Sequence, residues 1–147
     1  MNKKNIGSTL FFLVLLLFAV FIVYDRHQTE SSTAVIRTIK EDKINFFYRD
    51  DCKDCKKVFN QVYLHNFFHR DIEFINLNQE KNRKYIDEYN IHTVPTFIYK
   101  NKAYAGTNTA HLNKFLKGEW YESKNSQHYS QYSFSDSVTC VGSVSHY

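Results

Sequence analysis

The sequence lacks a large excess of charge of one sign, and it contains only one proline and three cysteines. Its formal net charge is +4, and acidic and basic residues are interleaved through residues 37–88, so no basic stripe could follow a phosphate backbone. We therefore expect no nucleic-acid partner. The 147 residues are 43% hydrophobic and 17% aromatic, which is enough for the packed core of one domain.

An apolar run near the N-terminus contains no charged residue. It covers residues 6–24, and these 19 positions would extend roughly 28 Å as a helix, close to a hydrocarbon core of about 30 Å. Lys3 and Lys4 precede the run, so the positive-inside bias places the N-terminus in the cytoplasm and the rest of the chain outside. We predict a single-pass anchor in the cell membrane over residues 1–24. A signal peptide cleaved near residues 32–34 is the alternative, and it would make the domain a secreted one.

Three further regions follow the apolar run. Residues 25–33 are predicted to be a polar tether, residues 34–118 a domain, and residues 119–147 a Ser- and Tyr-rich flexible tail. Within the domain, residues 34–42 form a first helix or strand, a choice that the pattern leaves open. Hydrophobic periodicity then predicts strand, helix, strand, helix, strand, strand and helix at residues 44–48, 53–69, 72–77, 79–90, 96–100, 103–106 and 110–116. A βαβ unit followed by a hairpin and a closing helix predicts an α/β sheet with helices on both faces.

The segment FFYRDDCKDCKKV, residues 46–58, places two cysteines three positions apart where a predicted strand turns into a helix. A Cys-x-x-Cys unit can be a redox dithiol, half of a zinc site, or two thiols without a function. Pro95, the single proline, stands at the head of a predicted strand, where an interior position would not tolerate the missing N–H. The spacing alone leaves the cis or trans state of its peptide bond open.

Three motifs together resemble the thioredoxin family over about residues 35–118. They are Cys52-Lys53-Asp54-Cys55 at the strand-to-helix turn, Thr93-Val94-Pro95-Thr96 about forty residues later, and the hairpin FIYKNKAYAG that ends at Gly106. The resemblance implies a thioredoxin-like fold, with a central mixed sheet and helices on both faces. The anchor and the motif YRDDCxxCKK are also similar to exported thioredoxin-like proteins of Gram-positive bacteria, among them the bacteriocin transport accessory proteins.

The resemblance implies a membrane-tethered, extracytoplasmic thiol-disulfide oxidoreductase that acts on exported proteins. A cysteine at a helix N-terminus is favoured as thiolate, so Cys52 is the expected nucleophile and Cys55 the resolving thiol. Val94 and Pro95 inherit the family's substrate-binding role, in which backbone groups pair with an extended substrate segment. The Cys52–Cys55 disulfide is the expected redox group, without a further cofactor or a metal. The expected partners are exported proteins with thiols or disulfides and a redox protein of the membrane.

The sequence departs from the best-known thioredoxins around the cysteines. Asp51 replaces the tryptophan before the first cysteine, and Lys53-Asp54 replaces Gly-Pro between the two. Phe46 stands where the family has a buried acid that assists proton transfer, so we expect water, Asp51 or Lys56 to take that part. Oxidant, isomerase and reductant all stay open, with a preference for forming or repairing disulfides in exported proteins.

Two other interpretations stay open. The domain can be a non-catalytic accessory of an exporter, or a copper- or metal-binding protein that uses Cys52, Cys55 and a histidine. His65 and His69 have a helical spacing that can bind metal, although solvated histidines are far more common. Cys140, the third cysteine, is incidental, exchanges disulfides with the pair, or makes an intermolecular disulfide.

Overall fold

A computed structural model describes residues 3–119, with side chains from residue 7 onward. The chain divides into two compact units at the junction of Ser32 and Thr33. Cys140 and the predicted tail beyond residue 119 lie outside the described residues.

The first unit consists of one long helix, α1, Lys3–Glu30. Its part from Gly7 to Glu30 is long and apolar enough to cross a membrane, a property that a membrane anchor and a signal sequence share. The helix continues for six residues beyond Tyr24, into the predicted polar tether, and the boundary between anchor and tether stays a prediction. An Arg26–Glu30 ion pair of 3.0 Å, one helical turn apart, supports this polar extension.

The second unit contains a four-stranded mixed sheet with the order β2-β1-β3-β4. Strand β1 pairs in parallel with β2 and antiparallel with β3, and β3 forms an antiparallel hairpin with β4. All five residues of β1 are buried, as expected for a central strand that is covered on both faces. The strands are β1 Ile44–Tyr48, β2 Ile72–Asn76, β3 Thr96–Tyr99 and β4 Lys102–Ala105.

Helices cover both faces of this sheet, and the side chains of β1 point alternately to one face and to the other. Phe46 points to one face, where its ring stacks on Phe97 at 4.5 Å between centroids and lies 6.1 Å from that of Phe59. Phe47 points to the other face and packs in a cluster with Tyr85. The first face carries α2, Lys53–His69, and α4, Thr109–Leu116, and the second carries α3, Lys84–Glu88.

Two predicted elements differ from the structure. The helix expected at residues 79–90 is a short 3₁₀ turn, Glu80–Asn82, followed by the five-residue α3. The expected element at residues 34–42 is neither helix nor strand. Both differences involve Asn82, whose buried amide group accepts a hydrogen bond from Ile36 N and donates to Ala34 O. Hydrogen bonds to the Asn82 side chain thus take the place of the backbone hydrogen bonds to a neighbouring strand that a strand at residues 34–42 would need.

Candidate active site

Cys52 is the residue that caps the N-terminus of α2. A tight turn precedes it, closed by a 3.2 Å hydrogen bond from Cys52 N to Arg49 O, and Lys56 N donates to Cys52 O as the helix begins. Cys55 lies one turn further on and is 1% exposed, compared with 6% for Cys52. The predicted placement of both cysteines at the strand-to-helix turn therefore agrees with the structure, and Cys52 is the more accessible of the two.

The proline loop lies directly against Cys52. The Val94–Pro95 peptide bond is cis, and Cys52 Sγ lies 3.9 Å from Val94 O. Inside the loop, Thr96 Oγ1 donates to Thr93 O at 2.6 Å. Cys52, which follows β1, and Val94, which precedes β3, are 42 residues apart in sequence and thus meet at the same end of these two neighbouring strands.

Strand β4 ends beside the same loop. Gly106 N donates to Pro95 O at 3.1 Å, and Gly106 has a φ of 133°, a backbone conformation that residues with a side chain rarely adopt. A glycine at this position therefore allows the end of the hairpin to support the proline loop. The predicted site residues Cys52, Val94 and Pro95 all belong to this arrangement.

Charged side chains around the cysteines form local pairs. The Arg49 guanidinium donates twice to the Asp51 carboxylate, at 3.0 and 2.8 Å. This interaction holds the pKa of Asp51 below its usual range, with a smaller contribution from Asn78, and it raises the pKa of Arg49. On the helix, Lys57 Nζ pairs with Asp54 at 2.7 Å. Two of the acidic residues near Cys52, Asp51 and Asp54, are thus paired with basic side chains.

The groups that the sequence suggested for proton transfer are not equally suited to it. Phe46 is fully buried in the aromatic core and offers no ionisable group, as expected from its type. Asp51 is a weak base, because its lowered pKa keeps it ionised beside Arg49. Lys56 is exposed on the first turn of α2. Water and Lys56 therefore remain the better candidates of the three that we predicted.

A polar group that sequence reasoning missed supports the turn before Cys52. Asp50 accepts a 3.1 Å hydrogen bond from Asn76 Nδ2 and a second bond from Asn78 Nδ2. Asn76 ends β2 and Asn78 follows two residues later, while Asp50 follows the parallel neighbour β1. The carboxyl ends of parallel strands meet at the same edge of a sheet. Polar residues at the ends of the two predicted strands could therefore have indicated that these side chains meet.

The histidines do not assemble with the cysteines. His65 Nε2 lies 3.2 Å from Asp71 Oδ2, and its ring stacks on that of His69 at 4.4 Å between centroids. Between residues 3 and 119, the structure contains no group of three or more His, Cys, Asp or Glu side chains that could hold a metal ion. The copper-binding interpretation stays a prediction.

Comparison with known proteins gives one clear match. The model of the Thioredoxin family matches residues 25–118. This match confirms the predicted thioredoxin-like α/β fold. A comparison with curated proteins gives no match.

Three solved structures are similar to this chain at low identity. Oxidised thioredoxin O2 from Arabidopsis thaliana is 14% identical, with 52% of this chain and 72% of that chain covered and a TM-score of 0.45. Oxidised thioredoxin from Plasmodium falciparum is 19% identical, with coverages of 52% and 78% and a TM-score of 0.43. Oxidised mitochondrial thioredoxin 3 from Saccharomyces cerevisiae is 17% identical, with coverages of 65% and 88% and a TM-score of 0.45.

Proposed function

Because this chain belongs to the thioredoxin family, we propose that it is a thiol-disulfide oxidoreductase, tethered to a membrane by α1 with its dithiol on the extracytoplasmic side. One observation carries the proposal. Cys52 begins α2 and its sulfur lies 3.9 Å from Val94 O in the cis-proline loop, with Cys55 one turn further along the helix. In this proposal Cys52 is the nucleophile, Cys55 is a second thiol one turn away, and the proline loop offers a backbone edge for the substrate.

The helix N-terminus supports Cys52 as the attacking group. Backbone N–H groups of the first turn and the helix dipole favour an anion at this end of a helix. Disulfide exchange proceeds through the thiolate, and the more accessible cysteine of the pair is the one that a substrate reaches first. Cys55 is almost fully buried, which suits a thiol that reacts only within the protein.

In the reducing direction, the reaction has two steps. Cys52 thiolate attacks one sulfur of a substrate disulfide, an S–S bond forms to Cys52, and the other substrate sulfur leaves as thiolate and takes a proton. Cys55 then loses its proton and attacks Cys52 Sγ, which releases the second substrate thiolate. The substrate disulfide becomes two thiols and the enzyme dithiol becomes the Cys52–Cys55 disulfide. The same steps in reverse oxidise a substrate dithiol.

Val94 and Pro95 are the proposed substrate contacts. An extended segment of the substrate would lie along the loop and pair with backbone groups next to Cys52, a short form of strand addition. The proposed substrates are exported proteins with thiols or disulfides, since disulfides form and persist outside the cytoplasm. A redox protein of the membrane would restore the dithiol or the disulfide. The narrower similarity to bacteriocin transport accessory proteins stays a prediction.

The proposal is tested by a single turnover, in which the dithiol of the reduced full chain in detergent supplies both electrons to a disulfide-bonded protein substrate. Cys52→Ser should reduce the release of substrate thiols to the background rate, because it removes the attacking sulfur. Cys55→Ser should stop turnover and accumulate a mixed disulfide between Cys52 and the substrate, since nothing resolves it. Mass spectrometry under non-reducing conditions identifies that adduct.

Cys140→Ser is the matched control, because it removes the third cysteine and leaves the pair intact. Turnover at the wild-type rate is expected for this variant. If Cys52→Ser retains turnover, or if Cys55→Ser forms no adduct with Cys52, Cys52 is not the attacking thiol. If the wild-type chain releases no substrate thiols above background, the protein does not act by disulfide exchange. A non-catalytic accessory role, which requires contact with a partner but no thiol chemistry, would then replace the proposal.

A further inference from the structure

The turn that carries Cys52 is attached to the neighbouring strand through one carboxylate. Asp50 is the second residue of the four-residue turn that ends at Cys52, and its two oxygens accept from two different amides, Asn76 Nδ2 at 3.1 Å and Asn78 Nδ2. Hydrogen bonds to a charged acceptor are among the stronger ones in proteins. Asp50 therefore links the start of α2 to the end of β2.

The two amides are themselves held in place. Asn76 is 4% exposed, and its Oδ1 accepts a 3.0 Å bond from Asn78 N, which orients the Nδ2 group toward Asp50. Asn82 Nδ2 donates to the backbone oxygen of Asn76 at 3.0 Å and to Ala34 O at 2.9 Å. Asp50 thus binds donors that the folded domain has already fixed, and its own position is correspondingly well determined.

The adjacent carboxylate has different surroundings. Asp51 is exposed, and its strongest partner is Arg49, which belongs to the same turn. That pair lies within the turn, and Asn78 makes a smaller contribution to Asp51. The bonds of Asp50, in contrast, attach the turn to the end of the strand next to it. Two neighbouring residues of equal charge therefore make contributions of different kinds.

We propose that Asp50 is a positioning residue for the dithiol. By attaching the turn of residues 49–52 to β2, its carboxylate keeps Cys52 Sγ against Val94 O and within reach of Cys55. The proposal deepens the proposed function and rests on it only where disulfide formation is concerned. Without the Asp50 bonds, Cys52 should become more accessible to reagents and less well placed to form a disulfide with Cys55.

Access to Cys52 is measured by alkylation with iodoacetamide on the reduced full chain in detergent, with the modified peptide identified by mass spectrometry. The rate is followed against pH until it reaches its plateau, where the thiol is fully ionised and the rate reports access alone. Asp50→Ala should raise the plateau rate roughly tenfold, the factor that corresponds to loss of a hydrogen bond to a charged group. Asp51→Ala removes the same charge one residue closer to Cys52, and it should leave the plateau rate unchanged because both Asp50 bonds remain.

A second measurement separates positioning from general stability. The equilibrium between the dithiol and the Cys52–Cys55 disulfide in glutathione buffers should shift severalfold toward the dithiol in Asp50→Ala. The shift should be smaller in Asp51→Ala, which removes an equal charge next to Cys52 but leaves both Asp50 bonds in place. A purely structural role for Asp50 would lower the melting temperature, leave the plateau rate unchanged in the folded protein, and shift this equilibrium no further than Asp51→Ala does. That result would overturn the proposal.

Two further outcomes also test the proposal: an Asp50→Ala variant that does not fold, and a protein that is inactive as an oxidoreductase. If Asp50→Ala does not fold, Asn78→Ala removes one of the two bonds and should raise the plateau rate in the same direction by a smaller factor. A wild-type plateau rate in Asn78→Ala would then overturn the proposal. Alkylation requires no disulfide exchange, so a protein that is inactive as an oxidoreductase but shows the expected alkylation rates would contradict the proposed function and leave the positioning role supported.

Discussion

Phenylalanine occupies opposite surroundings in the two units of the chain. Phe18 in α1 is 52% exposed, while Phe46 in β1 is fully buried among other rings. Among the described residues, the buried hydrophobic core lies entirely between residues 44 and 116, within the second unit. The domain therefore forms its core without apolar residues from α1. Helix α1 is long and apolar enough to cross a membrane, a property that a membrane anchor and a signal sequence share.

The largest expected effect tests whether the domain core is independent of α1. Phe46→Ala should lower the free energy of unfolding of the domain by about 3–5 kcal/mol, because a fully buried aromatic ring is replaced by a cavity. Phe18→Ala makes the same chemical change in α1 and should leave the domain unaffected. The measurement is a urea titration of the full chain in detergent, followed by near-UV circular dichroism of the aromatic core.

Equal losses of stability in the two variants would contradict the comparison, because they would mean that α1 contributes to the folding of the domain. A small effect of Phe46→Ala alone would instead show that the aromatic cluster tolerates a cavity. The position of Phe46 between Phe97 and Phe59 makes that second result the less expected one.

The next effect concerns membrane association. Leu15→Arg places a charge at the centre of the apolar run and should disfavour insertion of α1 by about 3 kcal/mol, so the share of protein in carbonate-washed membranes should fall. Leu64→Arg is the matched control on α2, since Leu64 is also exposed, at 57% compared with 47% for Leu15. It should leave the membrane-bound share unchanged.

Membrane binding that survives Leu15→Arg, or that Leu64→Arg reduces equally, would argue against α1 as the anchor.

The molecular mass of the membrane-bound wild-type chain separates an uncleaved anchor from a cleaved signal. A chain shortened near residues 32–34 and recovered outside the membrane would support secretion.

Local patterns in the sequence predicted most of the fold. The apolar run INFFY and the helical spacing of residues 55, 58, 59 and 62 depend only on neighbours in the chain, and they correctly predicted β1 and α2. The helix at residues 79–90 was predicted too long. Its charged residues suit a helix, but the buried bonds of Asn82 depend on segments far away in sequence.

The candidate site was predicted only in part, because local motifs are visible in the sequence and long-range contacts are not. The Cys-x-x-Cys unit and the proline motif are recognisable as short strings, and their resemblance to a family suggested that they meet. The hydrogen bonds that Asp50 accepts from Asn76 and Asn78 arise only when β1 and β2 are side by side. The cis state of the Val94–Pro95 bond could not be predicted from the spacing of the motif. No local pattern distinguishes Asp50 from Asp51, although the fold gives the two residues different partners.

The redox equilibrium of the cysteine pair tests the central claim most directly. The full chain in detergent would be equilibrated in graded glutathione buffers, and the state of Cys52 and Cys55 would be determined by alkylation and mass spectrometry. The account predicts a Cys52–Cys55 disulfide that forms with one defined potential, between about −120 mV for strong oxidants and about −270 mV for reductants. Absence of this disulfide at every ratio of oxidised to reduced glutathione would contradict the account.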